Sequence, residues 1–180
     1  MMYYSYLTSP LGTLLIAGDS AGLRHIHFQR GPHQGWPAPD WREDRRPFSA
    51  ALSQLEAYFA GTLRQFSLAL APQGTPFQHA VWRALQDIPY GETVSYGALA
   101  RQLGKPQAAR AVGAANGQNP LAVVIPCHRV ISSTGKLIGY AGGLDVKQAL
   151  LAFERRHTAS RTPMDQRPLL PTGACSHTVS

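Results

Sequence analysis

Val123-Val124-Ile125-Pro126-Cys127-His128-Arg129-Val130-Ile131 sets a short β-branched run, a proline stop, and then a cysteine, a histidine and an arginine in direct succession. An apolar run of this length reads as a buried strand. A buried strand that ends at a proline holds whatever follows it at a fixed depth. The thiolate is the nucleophilic form of cysteine, and an adjacent His or Arg helps to populate it. A buried, inert cysteine at a strand end has the same local sequence. The segment alone does not separate the two readings.

The residues around this run read as helices. Thr75 is placed to cap a helix with Pro76 in its first turn, a favoured position for proline. Phe77, Val81, Trp82, Leu85 and Ile88 mark its inward face. After the turn Pro89-Tyr90-Gly91, residues 95–103 and 107–116 form two short helical stretches across Gly104-Lys105-Pro106. Two short helices across a glycine-containing turn fit a helix-turn-helix, and fit a plain helical hairpin as well. A last helix spans about 144–156, with Val146, Leu150 and Phe153 facing inward.

The stretch Ala108-Ala109-Arg110-Ala111-Val112-Gly113-Ala114-Ala115-Asn116-Gly117 is almost all small, with one long side chain. Small side chains lower a helix's profile and admit close approach, either by another helix or by a nucleic-acid groove. A major-groove reader carries several long polar side chains for base edges. This helix suits shape-led contact in the minor groove.

The first half reads as three strands at 3–7, 13–17 and 23–28, separated by Pro10-Leu11-Gly12 and Asp19-Ser20-Ala21-Gly22 as turns, hence a meander. Residues 29–47, with Gly31, Pro32, Gly35, Pro37, Pro39 and Pro47, read as a loop. A helix follows at about 48–60, with Leu52, Leu55, Tyr58 and Phe59 on its apolar face and Gly61 at its end. One more strand is expected at 65–70, and Ala71-Pro72-Gln73-Gly74 reads as a linker. The division expected is 1–74, 75–156 and a disordered tail at 157–180.

Charge narrows the function. Residues 76–156 hold nine Lys/Arg against four Asp/Glu, whereas residues 1–75 hold six against five. The basic excess therefore lies on the half that contains Cys127. That asymmetry suits a polyanionic partner, nucleic acid first, although a generally arginine-rich proteome also raises the charge. No stretch has the length and apolarity of a membrane span, and the N-terminus lacks the features of a signal peptide. Two cysteines, one of them Cys175 in a polar tail, do not make a disulfide framework, and a reducing cytoplasm is expected.

Pro126-Cys127-His128-Arg129, preceded by Asn119-Pro120 and followed by Gly139-Tyr140-Ala141-Gly142-Gly143, resembles the O6-alkylguanine-DNA alkyltransferases in their bacterial constitutive form. Ala109-Arg110-Ala111-Val112-Gly113, Ser95-Tyr96 and a glutamate in the last helix extend the resemblance, which covers about residues 1–156. It implies an α+β fold: an N-terminal ribonuclease-H-like antiparallel sheet with a helix, then a helical, winged-helix-like DNA-binding domain. It implies irreversible transfer of the alkyl group of O6-alkylguanine, and less well of O4-alkylthymine, from duplex DNA to Cys127. His128 would relay the thiol proton through a water, and Glu154 would orient and balance that histidine. Asn119 would brace the turn that carries Cys127. Tyr96 would touch the phosphate beside the flipped nucleotide and donate toward guanine N3. Arg110 would fill the gap in the base stack. Ala109, Ala111, Gly113 and Ser95 would lie along the DNA. Tyr140, Val130, Ala141 and Pro126 would form the base pocket, with the carbonyls of Cys127 and Val130 accepting from the guanine amino group.

The resemblance implies no cofactor, no obligate protein partner and a monomer. Ala141 stands where some relatives carry serine. The zinc-binding cysteines of some animal members are missing, and His25, His27 and His33 lack the thiolate or carboxylate partners of a metal site. The chemistry agrees with the resemblance. Attack on a saturated carbon needs a soft nucleophile, a buried thiol needs a base, and a base inside a duplex must be flipped out to react. Two other classes remain: a lesion-binding relative without catalysis, which would lack the cysteine, and a papain-like cysteine hydrolase, which would need an oxyanion hole.

Overall fold

The computed structural model describes residues 1–30 and 37–159. The first half is the expected meander: β1 (Tyr3–Ser9), β2 (Gly12–Asp19) and β3 (Gly22–Phe28) pair antiparallel through Tyr3↔Gly18 and Leu14↔Phe28. Leu14, Leu15, Ile16 and Ala17 of β2 are all fully buried, so the central strand is covered on both faces.

The 29–47 segment is not loop throughout. Arg42–Glu43 forms β4, parallel to β1 at its other edge, and a short 3₁₀ turn spans Arg46–Phe48. Two-residue pairing leaves no periodicity to read. It is made by backbone bonds, Arg42 N–H to the Met2 carbonyl at 3.1 Å and Asp44 N–H to that of Tyr4 at 3.0 Å. His33 lies outside the described residues.

Helix α1 (Ser49–Phe59) lays Ala51, Leu52, Leu55 and Tyr58 into the core and leaves Phe59 half-buried. The strand expected at 65–70 is an extended segment with a single bridge. Leu23 exchanges backbone bonds with Ala69 and Ala71 at 2.8 Å each. The outer edge of β3 is thus covered in two places. Farther along, Ile26 donates to the Pro120 carbonyl at 2.8 Å and accepts from Ala122 N–H at 3.0 Å. An edge strand left open invites foreign pairing. Here the edge receives the segment that leads to Cys127.

Helix α2 (Pro76–Gln86) starts in a capping box: the Thr75 hydroxyl accepts from Gln78 N–H, and the Gln78 side chain returns to Thr75 N–H. Val81, Trp82 and Leu85 are buried, Ile88 just beyond the helix is buried too, and the Trp82 indole donates to the Ala115 carbonyl at 2.9 Å. Next come β5 (Val94–Ser95), α3 (Tyr96–Gln102) and α4 (Ala109–Gly117). Ser95 is the N-cap of α3, accepting from Ala98 N–H at 3.1 Å.

The run at 123–125 is buried as expected but is not a strand. It is a turn with Val123 at φ 72, followed by a 3₁₀ turn at Cys127–Arg129 and then β6 (Val130–Ile131), which pairs parallel with β5. A left-handed backbone at a β-branched residue is strained and persists only where surrounding bonds over-determine it. Helix α5 (Leu144–Ala159) buries Val146, Leu150 and Glu154 and runs past residue 156, so 157–159 belong to the helix and not to a tail. The remainder of the tail, with Cys175, lies outside the described residues. Both halves share one apolar core. Among the described residues no helix is long and apolar enough to cross a membrane.

Candidate active site

Cys127 begins the 3₁₀ turn and is 5% exposed. The turn before it is tied from within. Asn119 Nδ2 donates to the Ile125 carbonyl at 2.8 Å, and Asn119 Oδ1 accepts from Leu121 N–H at 3.0 Å. Asn116 Nδ2 approaches the Cys127 carbonyl at 3.4 Å. These bonds hold the strained Val123 in place and fix where the thiol stands.

Behind the thiol is a buried charged network. His128 Nε2 lies 2.8 Å from Glu154 Oε1. Glu154 also receives the Tyr58 hydroxyl at 2.7 Å, Gly91 N–H at 3.0 Å, and Arg129 through Nε and Nη2, both at 2.9 Å. Gly91 adopts φ 82, which a side chain would resist, and its N–H reaches the carboxylate. Arg129 Nη1 donates to the Ile88 carbonyl at 2.6 Å. A buried charge is tolerated only when paired and hydrogen-bonded, and this carboxylate has five donors.

The protonation states follow. Burial alone would raise the Glu154 carboxyl, but the hydrogen bonds and charges of His128 and Arg129 outweigh it and hold it well below the usual range. Burial pushes His128 down, and the charges of Arg129 and Lys147 add to this against the pull of Glu154. For His128, burial outweighs the pull of Glu154 and favours the neutral imidazole. Its Nε2 then donates to Glu154 and its Nδ1, buried without a partner, carries a free lone pair. Burial also pushes the Cys127 thiol up, while Asn119 and the Lys147 charge pull it down.

Lys147 is fully buried, and its Nζ donates to the carbonyls of Val130 at 2.7 Å and Ile138 at 2.9 Å. The Ile138 carbonyl also accepts from the Tyr96 hydroxyl at 3.2 Å. Tyr140 is half-buried with its hydroxyl buried and unpartnered, and burial raises its pKa well above 10.0.

Two adjacent spaces meet at Tyr140. A cavity of about 20 Å³ is lined by Cys127 together with Phe28, Asn119, Ala122, Tyr140 and Ala141. An open groove of about 480 Å³ is lined by Tyr96, Ala109, Arg110, Gly113, Tyr140 and Ala141. Both share Asn116, Gly117 and Gly139, so the groove and the cavity beside Cys127 lie on either side of one wall. The structure therefore brings together Cys127, His128, Glu154, Asn119, Tyr96, Tyr140, Ala141, Ala109, Arg110 and Gly113. Ser95 caps α3 and Ala111 is exposed, and neither lines the groove. Pro126 lines a separate cavity with Arg64 and Arg129, and Val130 is wholly buried.

Sequence reading left Tyr58, Gly91, Asn116 and Lys147 without a role in the site, and gave Arg129 none beyond general support of the thiolate. One of these carried a signal. Lys147 lies seven residues before Glu154, two helical turns, so both fall on the buried stripe with Leu150. A charge on an apolar stripe marks a buried polar site. Tyr58 carried no such mark, because its spacing on α1 is that of a core aromatic. Of the histidines, His25 stacks on Trp41 at 5.6 Å and His27 is buried in β3.

Both halves of the chain resemble known proteins. Residues 2–72 match the ribonuclease-like domain of 6-O-methylguanine DNA methyltransferase, and residues 76–156 match its DNA binding domain. A protein with these two domains and a cysteine backed by a buried His–Glu pair is of the cysteine-accepting methyltransferase class. The chain belongs to the 6-O-methylguanine DNA methyltransferase family. It is 52% identical over 153 residues to the methylated-DNA–protein-cysteine methyltransferase of Methanosarcina acetivorans, covering 85% of this chain and 98% of that protein. It is also 52% identical over 166 residues to the Mycolicibacterium paratuberculosis protein of that name, covering 92% and 100%. The crystal structure of Mycobacterium tuberculosis O6-methylguanine methyltransferase superposes with TM-score 0.82 at 48% identity, over 92% of this chain and 97% of that one. A structure of the M. tuberculosis protein in complex with DNA gives 0.79 at 47%, over 86% and 94%.

Proposed function

We propose that this protein repairs DNA by moving the alkyl group of O6-alkylguanine, and less well of O4-alkylthymine, onto Cys127 in a single turnover. The observation that carries this reading is that the Arg110-lined groove shares a wall with the cavity lined by Cys127. The lesion enters by flipping from the minor groove of duplex DNA, since its alkyl carbon is out of reach inside the stack. Helix α4 offers a small-residue face to the DNA, and Arg110 occupies the vacated stack. Tyr96 contacts the adjoining phosphate and donates toward guanine N3, and Tyr140 and Ala141 close over the base.

His128 Nδ1 takes the thiol proton, through a water, while Nε2 leans on Glu154. The sulfur then attacks the alkyl carbon, an S–C bond forms, and the C–O6 bond breaks with its electron pair on O6. Proton donation at N3 from Tyr96 drains that charge, and guanine is restored. A thioether has no leaving path, so each molecule acts once. Residues 1–74 act as the supporting ribonuclease-like domain and residues 75–156 as the DNA-binding and acceptor domain. The protein works as a cytoplasmic monomer with no cofactor.

The test is intact-mass spectrometry after incubation with excess duplex DNA carrying O6-methylguanine. One methyl gained per chain, located on Cys127 and absent from Cys127→Ser, is expected. Repair that continues past one equivalent, or without a protein adduct, would refute the reading.

A further inference from the structure

Phe28 and His27 end β3 in the N-terminal sheet, yet both line the small cavity that contains the Cys127 thiol. The route by which they arrive there is visible in the backbone. Ile26 bonds to Pro120 and Ala122 across the open edge of β3, and this places the next two residues of the strand beside Ala122 and Cys127. Phe28 is 2% exposed. Gly142 lets it close against the opposite wall: a Cβ at 142 would stand 3.1 Å from Phe28 Cδ2 and 2.9 Å from Tyr140 Cε1. Both aromatic rings therefore occupy the space that a side chain at 142 would need.

The space they leave is about 20 Å³. A water molecule needs roughly 10–15 Å³ of such space, so a small group fits beside Cys127 and a ring does not. The guanine side of the site is the larger groove beyond Tyr140. What a group attached to O6 meets as it nears the sulfur is the Phe28 wall.

We infer that Phe28, with His27 beside it, determines which alkyl groups the protein accepts, by forming the inner wall of the space next to the Cys127 sulfur. The N-terminal sheet thereby contributes to substrate specificity as well as to folding. This inference rests on the reading of Cys127 as the alkyl acceptor.

The test compares reaction rates with free O6-methylguanine and free O6-benzylguanine, read as methylated or benzylated Cys127 by intact mass. Both rates are taken on one preparation, so the fraction of folded protein cancels in their ratio. Phe28→Leu and Phe28→Ala should raise the benzyl-to-methyl ratio by about tenfold or more, the scale that a few methylenes command in an apolar pocket. Phe28→Trp should lower it. Phe48→Leu, which alters a buried phenylalanine of the same core outside that cavity, should leave the ratio unchanged. A ratio that does not rise in Phe28→Leu, or that moves equally in Phe48→Leu, overturns the inference while leaving methyl transfer intact. Absence of any adduct in the unaltered protein would instead overturn the acceptor reading.

Discussion

His128 Nε2 and Glu154 Oε1 stand 2.8 Å apart with both side chains wholly buried, and the same Glu154 carboxylate holds the Arg129 guanidinium. The pair thus does two things. It fixes the tautomer of the histidine and it neutralises a buried arginine. Both consequences can be measured.

Glu154→Gln should slow alkyl transfer by about 10²–10⁴-fold, the usual worth of a positioned acid–base pair. It should raise the apparent pKa of Cys127 and leave DNA affinity nearly unchanged. It also leaves the Arg129 charge buried without its partner, at a cost of about 3–5 kcal/mol. Single-turnover rates, a thiol-probe titration and denaturant unfolding separate these effects. Identical thiol titration in the two proteins would remove Glu154 from the relay.

Stability should fall in two stages as the solution is acidified. His128 is depressed below its ordinary 6.5, so below that pH the unfolded chain binds a proton that the folded one refuses. Glu154 is depressed too, and its contribution is fully present above about 4.5 and is lost as pH falls toward its folded value. Chemical denaturation at pH 7.5, 5.5 and 4.0 should give steadily lower midpoints. His128→Asn should lessen the first stage and spare the second. A flat profile from pH 7.5 to 5.5 would mean that His128 is not buried neutral.

Asn119→Ala should strand the Leu121 N–H in a buried turn, at about 1–3 kcal/mol, and should leave the Ile125 carbonyl with Cys127 N–H as its remaining donor. With those bonds gone Val123 is free to leave its strained backbone, and the Cys127 thiol loses its fixed position. Thermal unfolding should show the loss. The rate on free O6-methylguanine should fall along with it, since the defect lies in the acceptor turn and not in DNA binding. An unchanged free-base rate would confine Asn119 to stability.

Arg110 is exposed at the rim of the groove and lies apart from the buried network. Arg110→Ala should greatly slow repair of duplex DNA and barely change reaction with the free base, because flipping costs a few kcal/mol that an inserted arginine partly recovers. Arg110→Lys should restore phosphate attraction but only part of the duplex rate, since an ammonium does not stack. Equal loss on both substrates would place Arg110 in the pocket or the fold.

Local chemistry made much of this protein legible in advance. The turns at Pro10-Leu11-Gly12 and Asp19-Ser20-Ala21-Gly22 define the meander, because Pro fixes its own φ and Gly admits the positive φ that Gly12 and Gly22 adopt. The Thr75 cap and the 3.6-residue spacing of Val81, Trp82 and Leu85 define α2 for the same reason: neighbours in sequence are neighbours in space. Cys127, His128 and the basic second half were equally plain.

What the sequence left open depends on contacts between distant residues. The β-branched run at 123–125 has strand propensity, but Asn119 and the edge of β3 impose a turn on it. Residues 65–70 and 42–43 depend on which strand edge lies open to them, which no local pattern encodes. Tyr58 reads as a core aromatic until α5 places Glu154 within 2.7 Å of its hydroxyl, 96 residues away. The residue types of this site were thus set by the sequence. Only the tertiary structure decided which carboxylate takes five donors, where a buried lysine finds its carbonyls, and that a phenylalanine of the N-terminal sheet lines the same cavity as Cys127. Hydrogen bonds and packing act over a few ångströms, and the folded chain alone brings those atoms within range.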